Sequence, residues 1–182
     1  GFADQIDADN GYFDLSFNWI ESGSMVLNTT FDRLNADWHN NKFHFRVGRQ
    51  RINWGINMTW NANDIFNSYN FLDFDYEERP GTDALLAEYN ISDFSEIDVA
   101  YAPSKDDSAS TAALRYKINT HNYDVQIIGG LCNTDYVLGV GWAGNLGDAG
   151  FKGEATWFQP VKKFSDSSGV LSLSAEIGRA HV

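Results

Sequence analysis

Residues 112–127 read AALRYKINTHNYDVQI. Ala112, Leu114, Tyr116 and Ile118 alternate with Arg115, Lys117 and Asn119, and beyond His121 and Asn122 the side chains of Tyr123, Val125 and Ile127 alternate with Asp124 and Gln126. A period of two puts the two sets on opposite faces of a pleated strand, and a two-residue gap between such runs makes a hairpin. This stretch is therefore an antiparallel pair with one apolar and one polar face.

The same pattern extends in both directions. Upstream, Phe13, Leu15, Phe17 and Trp19 alternate with Asp14, Ser16 and Asn18, and a turn follows at Ser22–Ser24. A second strand is expected from Met25 to Trp38. Then Phe43, Phe45 and Val47 oppose His44, Arg46 and Gly48; Leu85, Ala87, Tyr89 and Ile91 oppose Glu88 and Asn90; Ile97, Val99 and Tyr101 oppose Glu96 and Asp98. Downstream, Leu138, Val140 and Trp142 oppose Gly139, Gly141 and Ala143, while Phe151, Ala155 and Trp157 oppose Lys152, Glu154 and Thr156. A last strand starts at Val170. No stretch sustains a helical period. The expectation is an all-β, antiparallel up-and-down meander of about ten strands over residues 1–176, a piece of a larger barrel. Residues 177–182, IGRAHV, match the translation of a common sequencing adapter and are expected to stand outside the fold.

One segment interrupts the array. A long loop is expected over residues 53–82, and loops of this kind inside a regular strand array are usually functional. Successive connections alternate between the two ends of a meander. The long ones, at 53–82, 103–110 and 160–169, all fall on one end, and the turns at 39–41, 93–95, 121–122 and 146–150 fall on the other. Short turns on one rim and long loops on the other is the pattern of outer-membrane barrels. In such a barrel the charged face, with Arg46, Glu88, Asp98, Arg115, Lys117, Asp124, Lys152 and Glu154, would line a wet lumen. Trp19, Trp38, Tyr123 and Trp157 would be girdle candidates near strand ends. In a soluble sandwich the same alternation puts the apolar face in the core and the charges in solvent. Alternation alone leaves both open.

Composition narrows the chemistry. The net charge of −12 opposes binding to nucleic acid by phosphate neutralisation. Aromatic residues make up 15% of the chain, which favours β-structure with interfaces to cover. Cys132 is the single cysteine, so there is no disulfide framework. No apolar run approaches the roughly 20 residues of a membrane helix, which excludes a helical span and not a barrel. Gly139, Gly141 and Gly144 spell a dinucleotide-like spacing inside an alternating strand, where small residues on a crowded face are the expected reading. His39, His44 and His121 have unrelated spacings, and no nucleophile–base constellation is present. No metal site, cofactor or enzymatic activity is expected.

The long segment carries the acids Asp64, Asp73, Asp75, Glu77, Glu78 and Asp83 beside Arg49, Arg51 and Arg79. Arginines facing carboxylates across a constriction create a transverse field that filters polar solutes. Arg49, Arg51, Asp64, Glu77, Glu78 and Arg79 are the candidate constriction. The series Trp54, Trp60, Phe66, Tyr69, Phe71, Phe74 and Tyr76 is expected to pack the loop's own small core in preference to offering stacking faces to sugars.

Residues 48–81, GRQRINWGINMTWNANDIFNSYNFLDFDYEERPG, resemble a segment of porin-like outer-membrane β-barrels of Gram-negative bacteria. The matching residues are Gly48, Arg49, Gln50, Ile52, Trp54 and Gly55, then Trp60, Asn61, Asp64, Ile65, Phe66 and Asn67, then Arg79, Pro80 and Gly81. Ala62 stands where proline is common. The resemblance implies an outer-membrane channel for passive passage of small polar solutes, with outer-membrane lipid and those solutes as partners. Diffusion needs neither cofactor nor catalytic group. The rival readings are a soluble β-sandwich or small barrel that binds carbohydrate, and an outer-membrane barrel enzyme.

Overall fold

The computed structural model describes residues 11–22, 25–67, 81–106, 109–161 and 168–179. Its elements are the strands β1 (Ser16–Ser22), β2 (Met25–Thr30), β3 (Leu34–His39), β4 (Phe43–Gln50), β5 (Thr82–Ser92), β6 (Ser95–Ala102), β7 (Thr111–Thr120), β8 (Tyr123–Cys132), β9 (Asp135–Leu146), β10 (Ala149–Pro160) and β11 (Val170–Arg179). β3 to β11 form one nine-stranded antiparallel sheet in sequence order, and β1 and β2 form a separate two-stranded sheet. The chain is all-β and meandering, as the alternation requires. The large sheet is open: its two ends, β3 and β11, are not paired with each other.

The hairpin at the centre forms as expected. β7 and β8 pair from Thr111↔Cys132 to Thr120↔Tyr123. His121 and Asn122 take positive φ of 52° and 63°, the type I′ geometry whose twist matches the flanking strands. Strict antiparallel order puts the connections at 51–81, 103–110 and 161–169 on one rim and the turns at 40–42, 93–94, 121–122 and 147–148 on the other.

Four boundaries differ from the sequence reading. The expected strand Met25–Trp38 is two strands, β2 and β3, broken at Phe31–Arg33. The Phe31 carbonyl accepts from Arg49 Nη1 at 3.2 Å, and the Asp32 carboxylate accepts the Gly81 N–H at 3.1 Å. Those partners turn the chain out of the ladder. Similarly, β1 starts at Ser16 because Asp14 Oδ1 accepts both the N–H and the hydroxyl of Ser16, a local turn that competes with pairing. At the far end β11 continues past the expected limit. Ile177, Gly178 and Arg179 pair with Phe151, Gly150 and Ala149, whereas residues 180–182 lie outside the described ones. The loop itself spans 51–81, because pairing closes at Gln50↔Thr82. Within the β3–β4 ladder the backbone requires glycine at Gly48: φ is +119°, and an added Cβ would strike the Leu34 carbonyl.

Burial runs opposite to the usual rule. The apolar face, with Val47, Leu85, Val99, Leu114, Ile127, Leu138, Val140 and Leu173, is exposed. Leu138 is 60% exposed while Asp98, Glu154 and Thr156 are at 0%. The hydrophobic cluster sits on the other face. It joins Ile52, Trp54, Ile65 and Phe66 of the loop to Ala84, Leu86, Ala100, Ala102, Ala113, Ile128 and Val137 of the sheet. Residues 51–67 are thus a second layer of the fold.

Candidate functional site: a folded loop on the polar face

The face that carries the loop has two halves. Toward the loop rim it offers Ala84, Ala100, Ala102 and Ala113, small side chains that leave room for Trp54 and Phe66. These two rings meet edge to face with centroids 5.0 Å apart. Toward the short-turn rim the same face is charged. The ladder aligns His44, Glu88, Asp98 and Arg115 from β4 to β7, and Lys117, Gln126, Gly141 and Glu154 from β7 to β10.

Glu154 on β10 is the anchor of the loop. Its Oε1 accepts the backbone N–H of Ile56 in a short bond and that of Asn57 at 2.9 Å, and its Oε2 accepts the N–H of Asn63 at 2.9 Å. A carboxylate can accept at both oxygens, so one side chain satisfies three backbone donors that have left the ladder. Its neighbours extend the grip. Thr156 Oγ1 donates to Asn63 Oδ1 at 2.8 Å, and Asn63 Nδ2 donates to the Val140 carbonyl at 3.1 Å. Gln126 Nε2 donates to the Trp54 carbonyl at 2.6 Å. On β11, Glu176 accepts the N–H groups of Met58 and Thr59 at 2.8 and 2.9 Å, and Ser174 accepts from Asn57 at 2.6 Å. Gly139 and Gly141 provide the clearance: a Cβ at Gly139 would stand 2.5 Å from Asn63 Oδ1, and one at Gly141 would stand 2.8 Å from Ile56 Cδ1. The small-residue reading of this spacing holds.

The base of the loop is closed by an ion pair. Arg49 and Asp83 face each other where β4 leaves and β5 returns. Nε and Nη2 of Arg49 each lie 3.0 Å from one Asp83 oxygen, a bidentate geometry. The two side chains are 5% and 1% exposed. Arg49 also donates to the Phe13 and Phe31 carbonyls, and the Phe13 N–H donates to Asp83 at 2.9 Å. This pair ties the segment before β1 to the loop base.

The expected constriction residues therefore separate. Arg49 is enclosed in the ion pair instead of facing open space. Arg51 is half-buried at the start of the loop, its Nε buried without a hydrogen-bond partner. Asp64 is buried in the turn that follows Asn61, with its N–H 3.4 Å from the Asn61 carbonyl. Glu77, Glu78 and Arg79 lie outside the described residues, as do Tyr69, Phe71, Asp73, Phe74, Asp75 and Tyr76. Trp54 and Phe66 do pack the loop's own core, whereas Trp60 is 42% exposed.

The eight candidate lumen-lining residues share one face. Arg46 bonds Asp37 at 2.6 Å, and His44 bridges Asp37 and Glu88. Arg115 holds Asp98 and Glu96, lies 5.5 Å from the Trp54 ring, and shares Glu96 with Lys117 at 3.6 Å. Asp124 accepts from Asn119 at 2.8 Å and is exposed. Lys152 reaches Glu176 at 3.2 Å and the Ile56 carbonyl at 3.4 Å. Gln126, Thr156, Ser174, Glu176 and Asn63 carry the docking, and the sequence reading did not single them out. Polar side chains on the face opposite the apolar one, in register with Glu154, were the available signal. Among the described residues no group of three or more His, Cys, Asp or Glu could hold a metal ion. No family model, curated protein or solved structure matches the chain.

Proposed function

We propose that the chain is part of an outer-membrane β-barrel that passes small polar solutes passively, with residues 51–67 of the loop narrowing its lumen. The observation that carries this is the inverted burial. Strand after strand shows Val, Leu, Ile and aromatic side chains to the outside while Asp98, Gln126, Glu154 and Thr156 are enclosed. Soluble monomers rarely expose contiguous apolar patches beyond a few hundred Å². Against lipid the same face is at its free-energy minimum, and the polar face becomes a lumen wall. The resemblance of residues 48–81 to porin-like barrels and the gathering of long connections on one rim support the same reading. In it, β3 and β11 pair with further strands of the barrel, since an open edge is not tolerated in a bilayer. A carbohydrate-binding sandwich would instead need a second sheet over the apolar face.

The test is a recording across a planar bilayer with the protein refolded into detergent. Discrete, stable conductance steps are expected. A protein that inserts and carries no current refutes the channel, and a protein that stays in the aqueous fraction without detergent refutes the barrel.

A further inference from the structure

A cavity of about 270 Å³ opens between the loop and the rim end of β8–β11. It lies on the loop side of the sheet, where Phe158 packs against the hydrophobic cluster. Trp60 and Phe158 give it aromatic walls, Asn61 and Asn133 give it amides, and Asp64 and Asp135 give it carboxylates. Among the described residues, no lysine, arginine or histidine lines it. We propose that this cavity is a binding site for a single neutral sugar ring, placed at the loop rim of the channel; the proposal rests on the channel reading and names a class of solute for it.

The chemistry selects this class. Anionic solutes meet the Asp135 carboxylate, with no cation in the described lining. A purely apolar ligand would strip water from amides and carboxylates without replacing their hydrogen bonds. An ammonium could pair with a carboxylate but offers no acceptor to the amide N–H groups. A hydroxyl both donates and accepts, and a pyranose carries several around one ring. Its C–H face fits an exposed indole such as Trp60, which is 42% exposed and so is not committed to the core. The volume sets the ligand size. Ordinary ligand pockets begin at roughly 300 Å³, so this one takes a single ring and not an oligosaccharide.

The experiment is calorimetric titration of the detergent-solubilised protein with glucose and galactose, and separately with choline and glucose 6-phosphate, beside bilayer recordings without sugar. One or both hexoses are expected to bind, and choline and glucose 6-phosphate are not. Trp60→Ala is expected to weaken hexose binding roughly tenfold, about 1.4 kcal/mol, while Trp60→Phe retains most of it. Asp135→Asn is a second variant at the polar wall, expected to weaken binding without touching the aromatic one. A protein that conducts but binds neither hexose overturns the sugar site and leaves the channel standing. Preference for choline, or hexose binding unchanged by Trp60→Ala and Asp135→Asn, also overturns it. Hexose binding by a protein that inserts without conducting overturns the channel and keeps the site.

Discussion

Replacing Glu154 with alanine should free the loop without melting the sheet. Three backbone N–H groups, of Ile56, Asn57 and Asn63, end on this one carboxylate. A buried donor left unsatisfied costs about 1–3 kcal/mol. Water entering the space of the lost side chain offsets part of that sum, so a net cost near the lower end, ~3 kcal/mol for the three, is expected. At about 1.4 kcal/mol per factor of ten, local opening of the loop becomes roughly a hundredfold more frequent. Glu154→Gln is milder. Its carbonyl can keep the Ile56 and Asn57 bonds, but its amide N–H₂ then faces the Asn63 N–H, so one bond is lost and opening rises roughly tenfold. Hydrogen–deuterium exchange reads this directly. Peptides covering residues 51–67 should exchange faster in the order wild type, Glu154→Gln, Glu154→Ala, while peptides from β7 and β8 keep their protection. Equal exchange of 51–67 in all three proteins would falsify the anchoring role. A loss spread evenly over the sheet would move Glu154's role from the loop to the sheet itself.

Other perturbations separate the remaining elements. Arg49→Ala strands a buried Asp83 and should cost about 3–5 kcal/mol, seen in urea titration, while the double replacement Arg49→Met with Asp83→Leu comes closer to neutral because no charge is left alone. Gly139→Val drives a side chain into Asn63 and should release residues 51–67 to proteolysis, whereas Gly129→Ala, with nothing within 4 Å of its Cβ, should not. Val140→Arg, midway along β9 on the exposed apolar face, should cost about 2–4 kcal/mol in a bilayer. On a water-exposed face the same change stays within about 0.5 kcal/mol. Urea titration of the protein in lipid vesicles decides between the two environments.

The residue-by-residue alternation was legible because its cause is local. Successive side chains on a strand point to opposite faces whatever lies beyond them. That fixes the meander, the hairpin at His121–Asn122, the shared face of Arg46, Glu88, Asp98, Arg115, Lys117, Asp124, Lys152 and Glu154, and the rim on which the long connections gather. Where long-range partners compete with the ladder, the local signal failed. Arg49 draws the Phe31 carbonyl away and splits the expected second strand, although residues 25–38 contain no proline or glycine to mark a break.

The role of the loop also depended on contacts far apart in sequence. Glu154 stands 91 to 98 residues from the N–H groups it binds, and nothing near it in the chain distinguishes it from Glu88 or Asp124. Arg49 and Asp83 were both visible as charges beside the loop; their enclosure as a pair follows from the β4–β5 register, which brings them opposite each other. Sequence alone determined that one face is apolar and the other polar. Which of them would be covered was decided by the tertiary structure, because covering a face depends on where a distant segment lies, and residues 51–67 lie on the polar one.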